Sequence, residues 1–199
     1  MPEVSLTDFV DFASKSGTSR MTAVRTIKQR PEYHPKRDYY RELREFIQDM
    51  HQGNVSANDF AGVLAELKDT SKVKHFEDVF SGHRKFVGRR ELDYFEPPYW
   101  RWEHFLLTVR VNPEIGLLID NVPHIIKLYF KTDPLSKQRT EAITHMMEVA
   151  LREKSPKGSV MGVLNLRRGK LYAPTVPISG LDVLLASEAA AFLQLWEGL

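Results

Sequence analysis

Residues 102–131 restrict the possible fold more than any other part of the sequence. They read WEHFLLTVRVNPEIGLLIDNVPHIIKLYFK, and apolar and polar side chains alternate through three stretches separated by short breaks. Because a period of two places alternate side chains on one face, the pattern predicts three β-strands. Two tight connections would join these strands as an antiparallel meander.

The alternation sorts the side chains of these strands onto two faces. One face is apolar throughout, and we expect the two C-terminal helices to cover it; its members are Phe105, Leu107, Val109, Ile115, Leu117, Ile119, Ile126, Leu128 and Phe130. The opposite face is mixed, and five of its polar side chains fall near one end. These five are Arg110, Glu114, Lys127, Tyr129 and Lys131.

The position of the second turn decides which polar side chains face each other. If Asn121 and Val122 form a two-residue turn, Glu114 lies opposite Tyr129, with Lys127 and Lys131 on the diagonals. Two interpretations follow. The cluster is either a set of cross-strand ion pairs on a solvated or helix-covered face, or an anion-handling or catalytic site around Glu114.

The first 90 residues have the 3.6-residue periodicity of helices. We predict five helices, and Ser56 and Asp59 form a capping-box pattern before the fourth. The predicted helices cover residues 6–16, 18–29 and 36–52, a stretch around 60–67, and 73–87.

An aromatic connector with two adjacent prolines follows at residues 91–103. It is either packed down over an edge of the protein or an exposed platform for a base or a peptide. After the meander we predict a helix over 135–154, a strand over 160–166, a short returning strand from Leu171, and a final helix from about Asp182.

The sequence therefore predicts an α+β protein. An N-terminal all-helical half precedes a mostly antiparallel sheet, made of the three-strand meander plus one or two later strands and covered by two C-terminal helices. We expect a helical subdomain at residues 1–90, the connector at 91–103 and an α/β subdomain at 104–199, all in one structural unit.

Composition sets broad limits on location and chemistry. The 199 residues include 42% hydrophobic and 27% charged residues, which is typical of a soluble folded protein. The absence of cysteine excludes disulfides and thiol chemistry, and it fits a cytoplasmic protein. We find no signal-peptide pattern and no membrane-spanning run, so no membrane partner is expected.

The element order around Glu114 resembles the core of the PD-(D/E)XK nuclease superfamily. Pro113-Glu114 is followed after fourteen residues by Tyr129-Phe130-Lys131, although Tyr129 stands where that family has a second acid. The resemblance implies a metal-dependent nuclease with Glu114, Lys127 and Lys131 as catalytic residues. A metal site of this kind would then need a carboxylate from a helix, such as Glu42 or Glu45.

A second candidate site lies on the N-terminal helices, which carry an excess of basic residues. Nine Lys or Arg fall between Lys15 and Arg44, against three acidic residues, and tyrosines are interleaved with them. We expect either a phosphate-contacting surface or a solvated, locally balanced helix face. The candidate nucleic-acid-binding residues are Arg25, Lys28, Lys36, Arg37, Arg41 and Arg44.

The seven histidines show no metal-ligand spacing, and the sequence has no Gly-rich phosphate loop, so we predict no metal and no cofactor. The leading hypothesis is a non-catalytic protein that binds nucleic acid or a protein partner, with a homodimer as a further possibility. The alternative hypothesis is a nuclease-like enzyme with a degenerate site around Glu114.

Overall fold

The computed structural model describes residues 1–31, 34, 38–174 and 178–199. Within these residues the protein is a mixed α+β structure with seven α-helices and two β-sheets. The helices are α1 (Leu6–Ala13), α2 (Thr18–Lys28), α3 (Arg41–His51), α4 (Phe60–Ala65), α5 (Thr70–Val87), α6 (Lys137–Leu151) and α7 (Leu181–Gly198). The strands are β1 (Glu3–Ser5), β2 (Leu92–Phe95), β3 (Trp100–His104), β4 (Leu107–Val111), β5 (Ile115–Ile119), β6 (Val122–Tyr129), β7 (Val160–Asn165) and β8 (Lys170–Tyr172).

The larger sheet has five strands in the order β2-β5-β6-β7-β8. Its neighbouring strands are antiparallel except for β6 and β7, which run parallel. Parallel neighbours need a crossover connection, and α6 supplies it. The predicted hairpin from the 160–166 strand to a returning strand is present as β7 and β8.

The predicted three-strand meander is wrong at its first strand. β4 pairs with β1 and β3 in a separate three-stranded sheet, and β5 pairs with β2 and β6 instead. Between β4 and β5 the chain passes through Asn112 and Pro113, and proline has no N–H to donate to a ladder. The chain therefore leaves one sheet and enters the other at this point.

The predicted turn between β5 and β6 is displaced by one residue. The turn consists of Asp120 and Asn121, with φ of +51° and +63°, and it pairs Ile119 with Val122. A two-residue turn of this kind needs positive φ at both positions, which Asp and Asn tolerate and the β-branched Val122 does not. The displacement changes every cross-strand partner of β5.

The five-stranded sheet is buried on both faces. The even-numbered side chains Ile126 and Leu128 of β6, with Ile115 and Leu117 of β5, pack in one core with α3, α4 and α5. The odd-numbered Ile125 packs in a second core with α1, α6, α7 and the three-stranded sheet. The predicted apolar face is therefore divided between the two cores. Helices α3–α5, and not the C-terminal helices, cover its β5 and β6 residues. Leu107 and Val109 of β4 instead pack with α6 and α7, and Phe105 is exposed.

Parts of the N-terminal region and connector are extended rather than helical or looped. The strand β1 precedes α1 inside the predicted helical half, and segment 91–103 contains β2 and most of β3. The predicted capping box at Ser56 and Asp59 is confirmed. Among the described residues, no helix combines the length and the apolar composition needed to cross a membrane.

Candidate functional site

A polar cleft of about 730 Å³ opens where α1, the start of α3, the adjoining ends of β4–β6 and the start of α6 meet. Charged side chains from five of these elements and from the segments beside them line it. The charged lining residues are Asp8, Asp11, Arg30, Asp38, Arg44, Arg110, Glu114, Lys127, Lys131 and Arg139. All five members of the polar cluster that the sequence indicated reach this cleft.

Glu114 and Lys127 form a buried ion pair in the cleft wall. Since β5 pairs with β6 through Ile115 and Ile126, Lys127 lies opposite Glu114, not Tyr129 as predicted. The Lys127 ammonium donates to Glu114 Oε1 at 2.5 Å and to the Asn112 carbonyl at 3.0 Å. The Leu128 N–H donates to Glu114 Oε2 at 2.7 Å. Both carboxylate oxygens therefore have donors, and the side chains of Glu114 and Lys127 are only 10% and 9% exposed.

The N-terminal turn of α1 places Asp8 beside Arg30. Ser5 caps the helix by accepting from the Asp8 N–H, and its hydroxyl donates to the Asp8 carboxylate. Arg30 donates to both Asp8 oxygens at 2.9 Å, a bidentate pair. Burial alone would raise the pKa of Asp8, but the hydrogen bonds from Arg30 and Ser5 outweigh it and lower the pKa.

Asp11, one helical turn further along α1, faces two cations. Its carboxylate accepts from the Lys131 ammonium and lies 3.4 Å from the Arg139 guanidinium. Arg139 also donates to the Tyr129 hydroxyl at 3.1 Å, and that hydroxyl donates to the Asp133 carbonyl at 2.9 Å. Burial raises the pKa of Tyr129, so the phenol remains a neutral donor.

The donor set around Glu114 does not fit a divalent cation. The Lys127 ammonium occupies the position from which a metal ion would neutralise this carboxylate. Tyr129, which replaces the second acid, hydrogen-bonds only to neutral and cationic partners among the described residues. No three His, Asp or Glu side chains in the described ranges are close enough to share a metal ion.

The two glutamates considered as a second carboxylate do not line the cleft. Glu42 pairs with Lys72 at 2.9 Å, and Glu45 pairs with Arg41 at 2.7 Å on the exposed side of α3. The neighbouring Gln48 does reach the cleft, and its amide donates to the Glu114 carbonyl at 2.9 Å. Gln48 reaches the cleft and the two glutamates do not, because only one side of α3 faces the sheet.

The six candidate nucleic-acid-binding residues are not all on one described surface. Arg44 lines the cleft and pairs with Asp38 at 2.8 Å. Arg25 and Lys28 are exposed on α2, where Lys28 donates to the Trp196 carbonyl on α7. Arg41 pairs with Glu45 on the exposed side of α3. Lys36 and Arg37 lie outside the described residues.

Five charged cleft residues were not candidates from the sequence: Asp8, Asp11, Arg30, Asp38 and Arg139. The sequence could have indicated Asp8 and Asp11, because residues three apart in a helix share one face. No sequence pattern indicates Arg30 or Arg139 as residues of the cleft. Their partners are separated from them by 22 and 128 residues, so only the folded chain brings them together.

The structure also brings together two histidines outside the cleft. His51 on α3 and His83 on α5 have their Nε2 atoms 2.9 Å apart, so one ring donates to the other. Burial lowers the pKa of His51 to about 4. Burial, with repulsion from His51, lowers the pKa of His83 to about 3. Its Nδ1 is buried without a hydrogen-bond partner among the described residues.

We therefore expect stability to fall as the pH decreases from about 6.5 towards 4. The unfolded chain binds protons on these histidines below pH 6.5, whereas the folded chain keeps them neutral until the lowered pKa values are reached. Each histidine should contribute a slope of up to about 1.4 kcal/mol per pH unit. Urea unfolding at several pH values between 7 and 5 measures this slope. The range is chosen because most carboxylates titrate below it.

A His51→Gln variant provides the control, since glutamine keeps a polar side chain that does not titrate. We expect a smaller slope than in the wild-type protein over the same pH range, because one of the histidines with a lowered pKa is then absent. Equal unfolding midpoints at pH 7 and pH 5 in the wild-type protein would contradict the assignment of neutral histidines.

The function of the cleft must be inferred from its own side chains. No protein-family model matches the chain, and no curated protein matches it.

Proposed function

We propose that the protein is a non-catalytic binding protein whose ligand carries phosphate groups, with nucleic acid as the ligand class. The cleft described above is the binding site. Among its described lining residues six are Arg or Lys and four are Asp or Glu. This excess of two positive charges in a concave surface favours an anion, because low-dielectric walls focus the field of the charges.

The arrangement at Asp11 is the observation that carries this proposal. The Asp11 carboxylate contacts both Lys131 and Arg139, so among the ion pairs of the described residues these two cations share one negative charge. A phosphate oxygen brought to these two side chains would supply the missing negative charge. Arg139 presents a planar guanidinium, which suits bidentate contact with phosphate.

Three of the basic side chains that line the cleft are exposed to solvent. The side chains of Arg110 and Arg30 are 58% and 51% exposed, and that of Lys131 is 34% exposed. The charged groups of these three side chains can contact a second phosphate while they keep their carboxylate partners. Tyr39 also lines the cleft and is 40% exposed, so its ring offers a face on which a base can stack.

The binding experiment uses fluorescence anisotropy with single-stranded and double-stranded oligonucleotides over a range of salt concentrations. We expect binding that weakens with salt, because each phosphate contact releases counterions. Arg110→Glu should weaken binding at least tenfold at low salt. Arg110→Ala should lower the slope of log affinity against log salt by about 1.

Two further variants locate the bound strand. Arg25→Glu tests the surface of α2 outside the cleft, and we expect little change. Arg89→Glu is the charge-matched control, because Arg89 is exposed just beyond the C-terminal end of α5, away from the cleft. The proposal is wrong if no oligonucleotide binds at low salt, or if Arg89→Glu weakens binding as much as Arg110→Glu. Binding of an acidic peptide alone would indicate a protein partner.

The nuclease-like alternative has weaker support, because Glu114 already holds Lys127. The same samples test it when Mg²⁺ or Mn²⁺ is added. Shortening of the oligonucleotide by the wild-type protein, but not by Lys131→Ala, would favour the enzyme. Lys131 is the better residue to change than Glu114, because its side chain is partly exposed and its loss leaves no buried charge unpaired.

A further inference from the structure

The strand β3 has an unpaired edge. The three-stranded sheet has the order β1-β4-β3, so β4 occupies one side of β3, and no described strand occupies the other. Edge strands present rows of free N–H and C=O groups, and proteins commonly protect them with charged side chains, proline, a bulge or a covering segment. The five residues Trp100–His104 contain no proline, and their pairing with β4 has no bulge. Their two charged residues, Arg101 and Glu103, have opposite signs, so they would repel a second copy in some registers and attract it in another.

The orientation of the free groups follows from the pairing of β4. The Thr108 N–H donates to the Pro2 carbonyl at 3.1 Å, on the β1 side of β4. Glu103 lies opposite Thr108, and therefore its own N–H and C=O point away from β4. Arg101, two residues earlier, has the same orientation. Among the described residues, neither backbone has a hydrogen-bond partner on its outer side.

Exposed apolar side chains flank this edge. Tyr99 is 76% exposed and Trp100 is 53% exposed at one end, and Phe105 is 79% exposed at the other. Phe105 also has a φ of +49°, a conformation that a bulky side chain rarely adopts. A cluster of exposed aromatic side chains beside an unpaired strand is typical of an interaction surface.

We propose that two copies of the chain associate through antiparallel pairing of their β3 strands, centred on Trp102. Only residues whose backbone N–H and C=O point away from β4, such as Arg101 and Glu103, can hydrogen-bond across this edge. This condition restricts the possible registers. Pairing centred on Trp102 places Arg101 opposite Glu103 of the second copy, twice. A shift by one register in either direction would place Arg101 opposite Arg101, or Glu103 opposite Glu103, and like charges opposite each other are destabilising.

The same register matches the apolar side chains. It brings Tyr99 of each copy alongside Phe105 of the other, so that exposed rings meet at both ends of the paired strands. The contact is isologous, because each copy contributes the same surface, and it closes after two chains. The result is a six-stranded sheet across the dimer. This inference does not depend on the proposed ligand of the cleft.

The test uses light scattering of the full chain with charge-swapped variants. Wild-type protein should have twice the mass of the 23.0 kDa chain. Arg101→Glu and Glu103→Arg each create like-charge pairs at both contacts, so each variant should weaken dimerisation at least tenfold. An equimolar mixture of the two variants should form a heterodimer, because both carboxylates of one copy then face guanidinium groups of the other. The double variant Arg101→Glu/Glu103→Arg should again form a homodimer.

Both changes lie on exposed side chains, and circular dichroism confirms folding of each variant. Lys74→Glu on α5 is the control for altered net charge, and it should remain dimeric. A monomeric wild-type protein up to about 100 μM overturns the proposal. It is also overturned if Arg101→Glu remains as dimeric as wild type, or if the mixed variants stay monomeric.

Discussion

Replacing Glu114 by alanine should lower the free energy of unfolding by about 3–5 kcal/mol, the cost typical of removing one partner from a buried ion pair. The change leaves the buried Lys127 ammonium with the Asn112 carbonyl as its one remaining acceptor among the described residues. It also leaves the Leu128 N–H without its acceptor. Urea unfolding at pH 7 measures the difference from wild type.

The double variant Glu114→Leu/Lys127→Met separates the cost of an unpaired charge from the contribution of the pair. We expect it to be more stable than either single variant, because it leaves no buried charge. The matched surface control is Arg41→Ala, which breaks the exposed pair with Glu45 and should cost below about 1 kcal/mol. A loss of less than about 1 kcal/mol for Glu114→Ala would contradict the buried-pair description.

This result bears directly on function. Removing a carboxylate that is buried against an ammonium group lowers folding stability, whatever its role in binding. A binding defect in a Glu114 variant would therefore be confounded by its lower stability, and partly exposed residues such as Arg110 and Lys131 are the informative positions for binding studies.

Replacing Gly82 by alanine should destabilise the protein by about 3 kcal/mol or more, the upper end of the range for overpacking. Gly82 lies within α5, and an added Cβ would be 1.6 Å from the Leu166 carbonyl oxygen and 2.8 Å from its carbon. Both are backbone atoms of the residue that follows β7, so α5 would have to move away from the sheet. The measurement is the urea midpoint, together with near-UV circular dichroism to report core packing.

Gly62→Ala is the matched control for helix propensity. Gly62 lies within α4, and no atom is within 4 Å of its added Cβ. Alanine at this position should stabilise the protein by about 0.5–1 kcal/mol, because glycine is the poorer helix former. If the two substitutions changed stability similarly, close packing around Gly82 would not be the cause of the effect of Gly82→Ala.

Local sequence patterns were enough to identify most of the secondary structure. Apolar side chains at helical spacing indicated the regions of the helices, and the capping box at Ser56 was read from two residues. The β7–β8 hairpin and the sorting of β5 and β6 side chains into two faces also followed from the sequence. These features depend on neighbours within about ten residues, and so the local sequence is sufficient to predict them.

The partners of each strand depended on the tertiary structure. β4 has the alternation of a meander strand, yet it pairs with the three-residue β1 that comes about a hundred residues earlier. Alternation shows which side chains share a face, but it does not show which edge a strand joins. The register of β5 with β6 was a partial exception, because the preference of Asp120 and Asn121 for positive φ was visible in the sequence.

The sequence by itself determined most of the helices, the strands β4–β8, the apolar face shared by β5 and β6, and a concentration of charged residues near Glu114. Only the tertiary structure decided that Glu114 is buried against Lys127, that α1 supplies Asp8 and Asp11, and that His51 meets His83. The physical reason is distance along the chain. Ion pairs such as Asp11 with Lys131 join residues 120 positions apart, and no local periodicity encodes such a contact.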